Sequence, residues 1–324
     1  MADTAPRADH DTPVPAPYGP SAVTVPSSSS RFPDGGAWRV EIPSVEGPDA
    51  LEAVLETAAE LDVPIHRVSQ GSGVTMLTDR EIDRMRELCA AHRIELCLFA
   101  RPGADWDIGA GGRPGSPLAA RARGLRQLDA VLAEIRRGSD LGVRSFLVSD
   151  EGALFAAHRL RQAGALPADL QLKTSVLAGP ANPASFHVHE LLGADTINVP
   201  SDLSLTELAD LRARTDTTID FYVEAPDDGG GFVRLWEIAE IARVAAPVYL
   251  KFGLRLAPGI YPSGAHLSTT VLNTARERVR RARLGLDALN RQGGRLPMSA
   301  TGERTQPTVD RSWPLERERE EVQL

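Results

Sequence analysis

From residue 37 to residue 292 the hydrophobic positions keep changing period. Short segments that alternate apolar and polar residues one by one give way to longer ones with an apolar residue every three or four positions. The first spacing predicts a strand with two unlike faces, the second an amphipathic helix. The clearest unit is Thr218–Arg255. In Thr218–Glu224, Ile219, Phe221 and Val223 share one phase, and Asp220, Tyr222 and Glu224 share the other. A loop, Ala225–Gly231, leads into the amphipathic run Phe232–Val244. Alternation then returns in Pro247–Gly253, with Val248, Leu250 and Phe252 set against Tyr249 and Lys251. A strand–helix–strand unit of this length requires a crossover, and hence parallel pairing.

Six further strands are predicted at Ala37–Val45, Val63–Gln70, Ile94–Ala100, Val143–Ser149, Leu170–Val176 and Asp195–Val199. A helix follows each. Thr78–Glu81 and Ser204–Glu207 have the spacing of capping boxes, and a last helix spans Thr269–Leu289. Eight strand–helix repeats in a single domain predict an α/β fold, the (β/α)₈ or TIM barrel. A doubly wound sheet would need a glycine-rich fingerprint after its first strand, and none is there. Residues 1–36, rich in Pro, Ser, Ala and Asp, and the polar stretch 293–324 lack periodicity. Both are expected to be disordered tails. The Gly/Pro-rich loop Arg101–Pro117 includes Gly109–Gly115, expected to be a flexible lid segment.

Helices cover the outside of a barrel, so the apolar phase should point outward and the other phase into the lumen. Here that second phase is polar on strand after strand: Glu41, Glu95, Cys97, Gln171, Lys173, Thr196, Asn198, Asp220, Tyr222, Glu224, Tyr249 and Lys251. So many buried polar groups must bond to one another or line a site. Strand ends add Gln70, Arg101, Asp150, Glu151, Asp202 and Arg255. The chain has 36 basic residues but only two lysines, Lys173 and Lys251, both in the polar phase of a strand. Lysine, unlike arginine, can lose its charge on burial. Lys251, Glu224 and Tyr222 are therefore the expected catalytic group, with Lys173 across the lumen and Glu224 near enough on the adjacent strand to pair with Lys251. Asp220, Asn198, Gln70, Arg101, Asp150, Glu95, Arg255 and Asp202 are the expected substrate-binding residues.

His187, His189 and Glu190 fall in a helix, where positions two apart diverge, so a structural role is expected. His266, in a loop, is a second-rank candidate. Gly229–Gly231 precedes the seventh predicted helix, where it could cradle a phosphate or form a lid. A net charge of −8 argues against nucleic acid as a partner. No apolar run is long enough to span a membrane, and no basic-then-apolar leader opens the sequence. Two cysteines, Cys89 and Cys97, fit a reducing cytoplasm and are too few for an all-cysteine cluster. The expectation is a cytoplasmic protein with a small-molecule substrate, no metal and no other cofactor; self-association is left open.

Asn182–Ala184, Gly193–Val199, Ser201–Leu208 and Phe221–Ala225 together resemble the second half of the catalytic barrel of the collagenase-like peptidases, the U32 family. The resemblance covers about a sixth of the chain. It implies a barrel and, by family, peptidase-like hydrolysis or oxygen-independent hydroxylation. The cysteine signature which that family carries after the strand is replaced here by Pro226–Gly231. Three readings stand: a metal-independent enzyme of lyase, aldolase or isomerase type acting on a small, polar, carbohydrate-like carbonyl compound; a U32-like hydrolase; and a ligand-binding barrel without chemistry.

Overall fold

A computed structural model describes residues 24–102, 121–292 and 296–302. Eight strands, β1 (Trp38–Pro43), β2 (Arg67–Ser69), β3 (Glu95–Phe99), β4 (Ser145–Val148), β5 (Gln171–Thr174), β6 (Thr196–Asn198), β7 (Thr218–Glu224) and β8 (Val248–Phe252), run parallel and in sequence order. β1 pairs with β8 through Trp38↔Val248 to Glu41↔Lys251 and closes the barrel. The helices are α1 (Pro48–Glu60), α2 (Asp79–Ala91), α3 (Gly124–Asp140), α4 (Glu151–Gln162), α5 (Pro183–Leu191), α6 (Leu205–Arg212), α7 (Ile238–Ala245) and α8 (Ser268–Arg291). The chain is therefore a (β/α)₈ barrel.

Local chemistry agrees with the elements. Thr78 and Ser204 form the expected capping boxes with Glu81 and Glu207. Asn182 caps α5, with Pro183 in its first turn. The apolar strand phase, including Val40, Ile42, Val68, Phe146, Leu172, Ile197, Phe221 and Leu250, is fully buried in the hydrophobic core between sheet and helices.

Two expectations require correction. The seventh helix starts at Ile238, not Phe232. Val233 forms an antiparallel bridge with Glu224, and a short 3₁₀ turn, Leu235–Glu237, intervenes. Gly229–Gly231 is thus well separated from the N-terminus of α7, so of the two readings of this loop the phosphate cradle finds no support.

The domain also reaches beyond 37–292. Residues 24–36 form a strap across the N-terminal end of the barrel. Ser28 donates from its backbone N–H to Arg243 O, 2.9 Å, and from Oγ to Ala246 O, 2.5 Å. Phe32 is 1% exposed, because it plugs the barrel floor under Arg39, whose guanidinium lies 4.0 Å from the ring centre. Residues 296–302 form a second strap, with Ser299 N donating to Trp38 O and Ala37 N to Pro297 O. The two meet at Asp34, which accepts from Ser299 Oγ at 3.0 Å and Ala300 N at 2.8 Å. Polar composition concealed these anchors. The tail expectations for 1–23, 293–295 and 303–324, and the lid expectation for Gly109–Gly115, lie outside the described residues.

Candidate active site

The lumen is filled by charge. Arg39 sits lowest, donating to Tyr249 Oη at 3.1 Å. Above it Arg67, fully buried, reaches three carboxylates: Glu95 at 2.8 Å, Asp220 at 2.8 Å and Glu41 at 3.2 Å. Its guanidinium lies 3.7 Å from the centre of the Tyr249 ring. Glu41 then links upward to both lysines. Its Oε2 accepts from Lys173, and its Oε1 lies 3.3 Å from Lys251 Nζ and accepts from Ser69 Oγ at 2.7 Å. Lys173 is also 3.6 Å from Asp220. Lys251 donates to Asn198 Oδ1 at 2.6 Å and rests 4.1 Å above the centre of the Tyr222 ring.

Alternation explains the assembly. Each of these residues occupies the inward phase of its strand, and the registers Glu41↔Lys251, Glu41↔Arg67, Arg67↔Glu95 and Tyr222↔Lys251 bring them side by side. Burial works against the charge of each group, and pairing opposes it. Burial pushes the Glu41 carboxyl up, but Lys173, Lys251 and Arg67 outweigh it and hold it well below the usual carboxylate range. Burial pulls Lys173 below the ordinary amine value despite Asp220 and Glu41. Burial pushes the Cys97 thiol up to about 11 and the Tyr249 phenol up to about 12, so both are neutral near pH 7.

Lys251 also lines a cavity of about 80 Å³ at the C-terminal mouth, together with Ser69, Gln70, Arg101, Tyr222 and Tyr261. The β8–α8 loop brings Tyr261 over this opening. A Cβ on Gly71 would come within 2.5 Å of the Tyr261 hydroxyl, so only glycine permits that approach. Arg101 donates to Gly71 O at 2.7 Å.

The expected site residues divide into two groups. Lys251, Tyr222, Lys173, Asn198, Asp220 and Glu95 meet in the lumen, and Gln70 and Arg101 line the mouth. Gln70 also braces its own loop, through Nε2 to Gly73 O and Gly73 N to its Oε1.

Glu224 is a correction. A bulge after Tyr222 places Glu224 opposite Phe252 instead of in the lumen register. Its Oε1 accepts from Arg255 N at 3.0 Å and its Oε2 lies 3.6 Å from Arg281 on α8, so it does not pair with Lys251. Asp150 is the N-cap of α4, accepting from Ala153 N and Ala122 N, which accounts for its carboxylate. Asp202 is exposed, and Arg255 is exposed beside Asp227 at 3.9 Å; neither lines the mouth.

Glu41 was recognised as a lumen group but not as the carboxylate shared by both lysines. Arg39 and Arg67 are not among the expected lumen groups, although their alternation with Val40 and Val68 carries the same signal. His187 bonds Glu190, which also accepts from Thr215 and Thr217, so this pair is structural. Among the described residues no group of three or more His, Cys, Asp or Glu side chains could hold a metal ion. Among them, too, no helix is long and apolar enough to cross a membrane.

The sequence matches no family model and no curated protein. Solved structures that it resembles include a U32 peptidase, 18% identical over 65% of this chain and 74% of that one, with a TM-score of 0.37. The YdjI aldolase from Escherichia coli K12 is 11% identical over 80% and 92%, with a TM-score of 0.46. A 2,3-dimethylmalate lyase is 14% identical over 85% and 88%, with a TM-score of 0.42. Likeness at this level is of barrel to barrel. The resemblance of Asn182–Ala225 to U32 peptidases extends only to that distant relationship, and no activity follows from it.

Proposed function

We propose that this barrel is an enzyme that acts on a small, polar, carbohydrate-like carbonyl compound by lyase, aldolase or isomerase chemistry, with Lys251 at the reacting atoms. One observation carries this reading. Lys251 is both a member of the buried charge network and a wall of the mouth cavity, whereas Lys173, Glu41 and Asp220 do not line that cavity.

On the lumen side Asn198 Oδ1 accepts one ammonium proton and Glu41 Oε1 lies 3.3 Å away as the opposite charge. A remaining proton can be offered to a carbonyl oxygen in the mouth, where it would stabilise the negative charge that develops as a bond next to the carbonyl breaks. The Tyr222 ring holds the ammonium in place from one side. Glu41, held as a firm anion, is a poor proton acceptor. This arrangement suits Lys251 as a charged donor better than as a free amine. Gln70 and Ser69 offer further polar contacts for hydroxyl groups.

The hydrolase reading finds less support. Among the described residues lining the mouth none is histidine, and Ser69 Oγ donates to Glu41, a carboxylate held as a firm anion and so a poor base. The ligand-binding reading is favoured by the mutual pairing of the lumen charges, which needs no chemistry to account for it.

The test is turnover of a panel of hydroxyaldehydes, hydroxyketones and keto acids followed by proton NMR, with borohydride added in parallel. Cleavage or isomerisation that Lys251→Met abolishes supports the proposal. Saturable binding without turnover by the wild-type protein points to the binding barrel. Mass added at Lys251 by borohydride would assign it a covalent role instead.

A further inference from the structure

We infer that the ligand of the mouth cavity carries a carboxylate, and that Lys251 is its counter-charge; this rests on the mouth being the site proposed above. Charge is unevenly distributed along the barrel axis. Arg39, Arg67, Lys173 and Lys251 are four lumen cations against the three carboxylates Glu41, Glu95 and Asp220, and the signs are not evenly placed. Glu95, whose side chain is 10% exposed, lines a cavity of about 390 Å³ at the opposite, N-terminal face, beside Ala90, Gly142 and Asp169. Lys251 lines the mouth cavity, and no carboxylate is among that cavity's described lining residues.

The charge that faces Lys251 is also diluted. Glu41 is the carboxylate within 4 Å of it, and that one group serves Arg67 and Lys173 as well. Asn198 contributes an amide oxygen, and the Tyr222 ring only its face. The inward-facing Cys97 thiol and Tyr249 phenol stay neutral and add no negative charge beside it. A cation so buried interacts strongly with any anion that reaches it, since little water screens the pair. A cavity of about 80 Å³ has room for a carboxylate and a short carbon skeleton. Among its described lining residues none begins an α-helix, the element whose N-terminus cradles a phosphate.

The test is direct binding at low ionic strength by calorimetry. The probes are pyruvate and lactate, their neutral isosteres pyruvamide and lactamide, and inorganic phosphate. The carboxylates should bind the wild-type protein about tenfold or more tightly than the amides, and Lys251→Met should remove that preference. Lys251→Arg, which keeps the charge, should retain much of it. Equal binding of acids and amides, binding of phosphate alone, or an undiminished preference in a folded Lys251→Met variant would each overturn the inference. Should Lys251→Met fail to fold, the acid–amide comparison on the wild-type protein decides. Acid-selective binding without turnover would remove the enzyme reading and leave this one standing. Turnover of neutral carbonyl compounds with no preference for acids would do the reverse.

Discussion

Lys251 Nζ lies 3.3 Å from Glu41 Oε1, across the pairing of β8 with β1 that closes the barrel. The last strand thus delivers its lysine to a carboxylate on the first, and the inner charge network depends on closure of the sheet. The same carboxylate is gripped by Lys173 and Arg67. Each member is therefore stable in place only while its partners remain.

Glu41→Gln should destabilise the protein by about 3–5 kcal/mol, because it strands two buried lysines without their shared anion. Urea unfolding monitored by circular dichroism at pH 7 measures this. A loss under about 1 kcal/mol would show that the lysines are content with Asp220 and Asn198 alone.

Lys251→Arg keeps a positive charge but replaces a compact ammonium with a bulkier planar group at the cavity wall. Turnover of the substrate found in the panel should fall at least about 100-fold. Near-normal kcat in that variant would exclude lysine-specific chemistry and leave Lys251 as an electrostatic anchor.

Glu224→Gln should leave kcat almost unchanged while costing about 1–2 kcal/mol of stability, through the Arg255 N–H bond and the Arg281 contact. A drop in kcat matching that of the Lys251 variants would return Glu224 to the chemistry.

These expectations show how far the sequence could be read. Period-two alternation placed the lumen residues because the pleat is rigid: a strand that buries Val40 and Ile42 outward must turn Glu41 inward. Glu224 escaped that logic. One extra residue in β7 shifts the phase, and nothing in Phe221–Ala225 marks the bulge. Asp150 escaped for another reason, since a carboxylate at a strand end is equally the N-cap of the next helix. Arg39 and Arg67 were hidden by rarity, because fully buried arginines are uncommon enough that alternation alone did not nominate them. Which carboxylate the lysines share depends on strand stagger around the closed barrel, which no single strand encodes.

His66 provides a pH test. Its Nδ1 accepts from Val40 N at 3.1 Å, so Nε2 carries the proton donated to Ser299 O at 2.9 Å. Burial pulls its pKa from 6.5 down to about 4. The unfolded chain therefore binds this proton more readily than the folded one, and stability falls as pH drops from about 6.5 toward 4. Above that window the group contributes no pH dependence. His66→Gln should flatten the wild-type decline in melting temperature between pH 6.5 and pH 4.5. An identical decline in both proteins would assign it to other groups.

Phe32→Ala should cost about 3–5 kcal/mol, as for a buried aromatic side chain elsewhere, because it unplugs the floor beneath Arg39 and Tyr249. A melting temperature within a degree or two of wild type would mean that the first strap is a loose cover.

The two straps also fix where the described chain enters and leaves the barrel. Arg243, at the end of α7, holds Val25 O, and Gly302 packs against Arg93, just before β3. Both points lie on the N-terminal face, with the whole length of the strands between them and Lys251. A dye, an affinity handle or a surface tether attached at Thr24 or at Gly302 would sit on the far side of the molecule from the mouth. Immobilised that way, the protein would present its candidate site to solution, and ligand capture on a sensor surface should match capture in free solution.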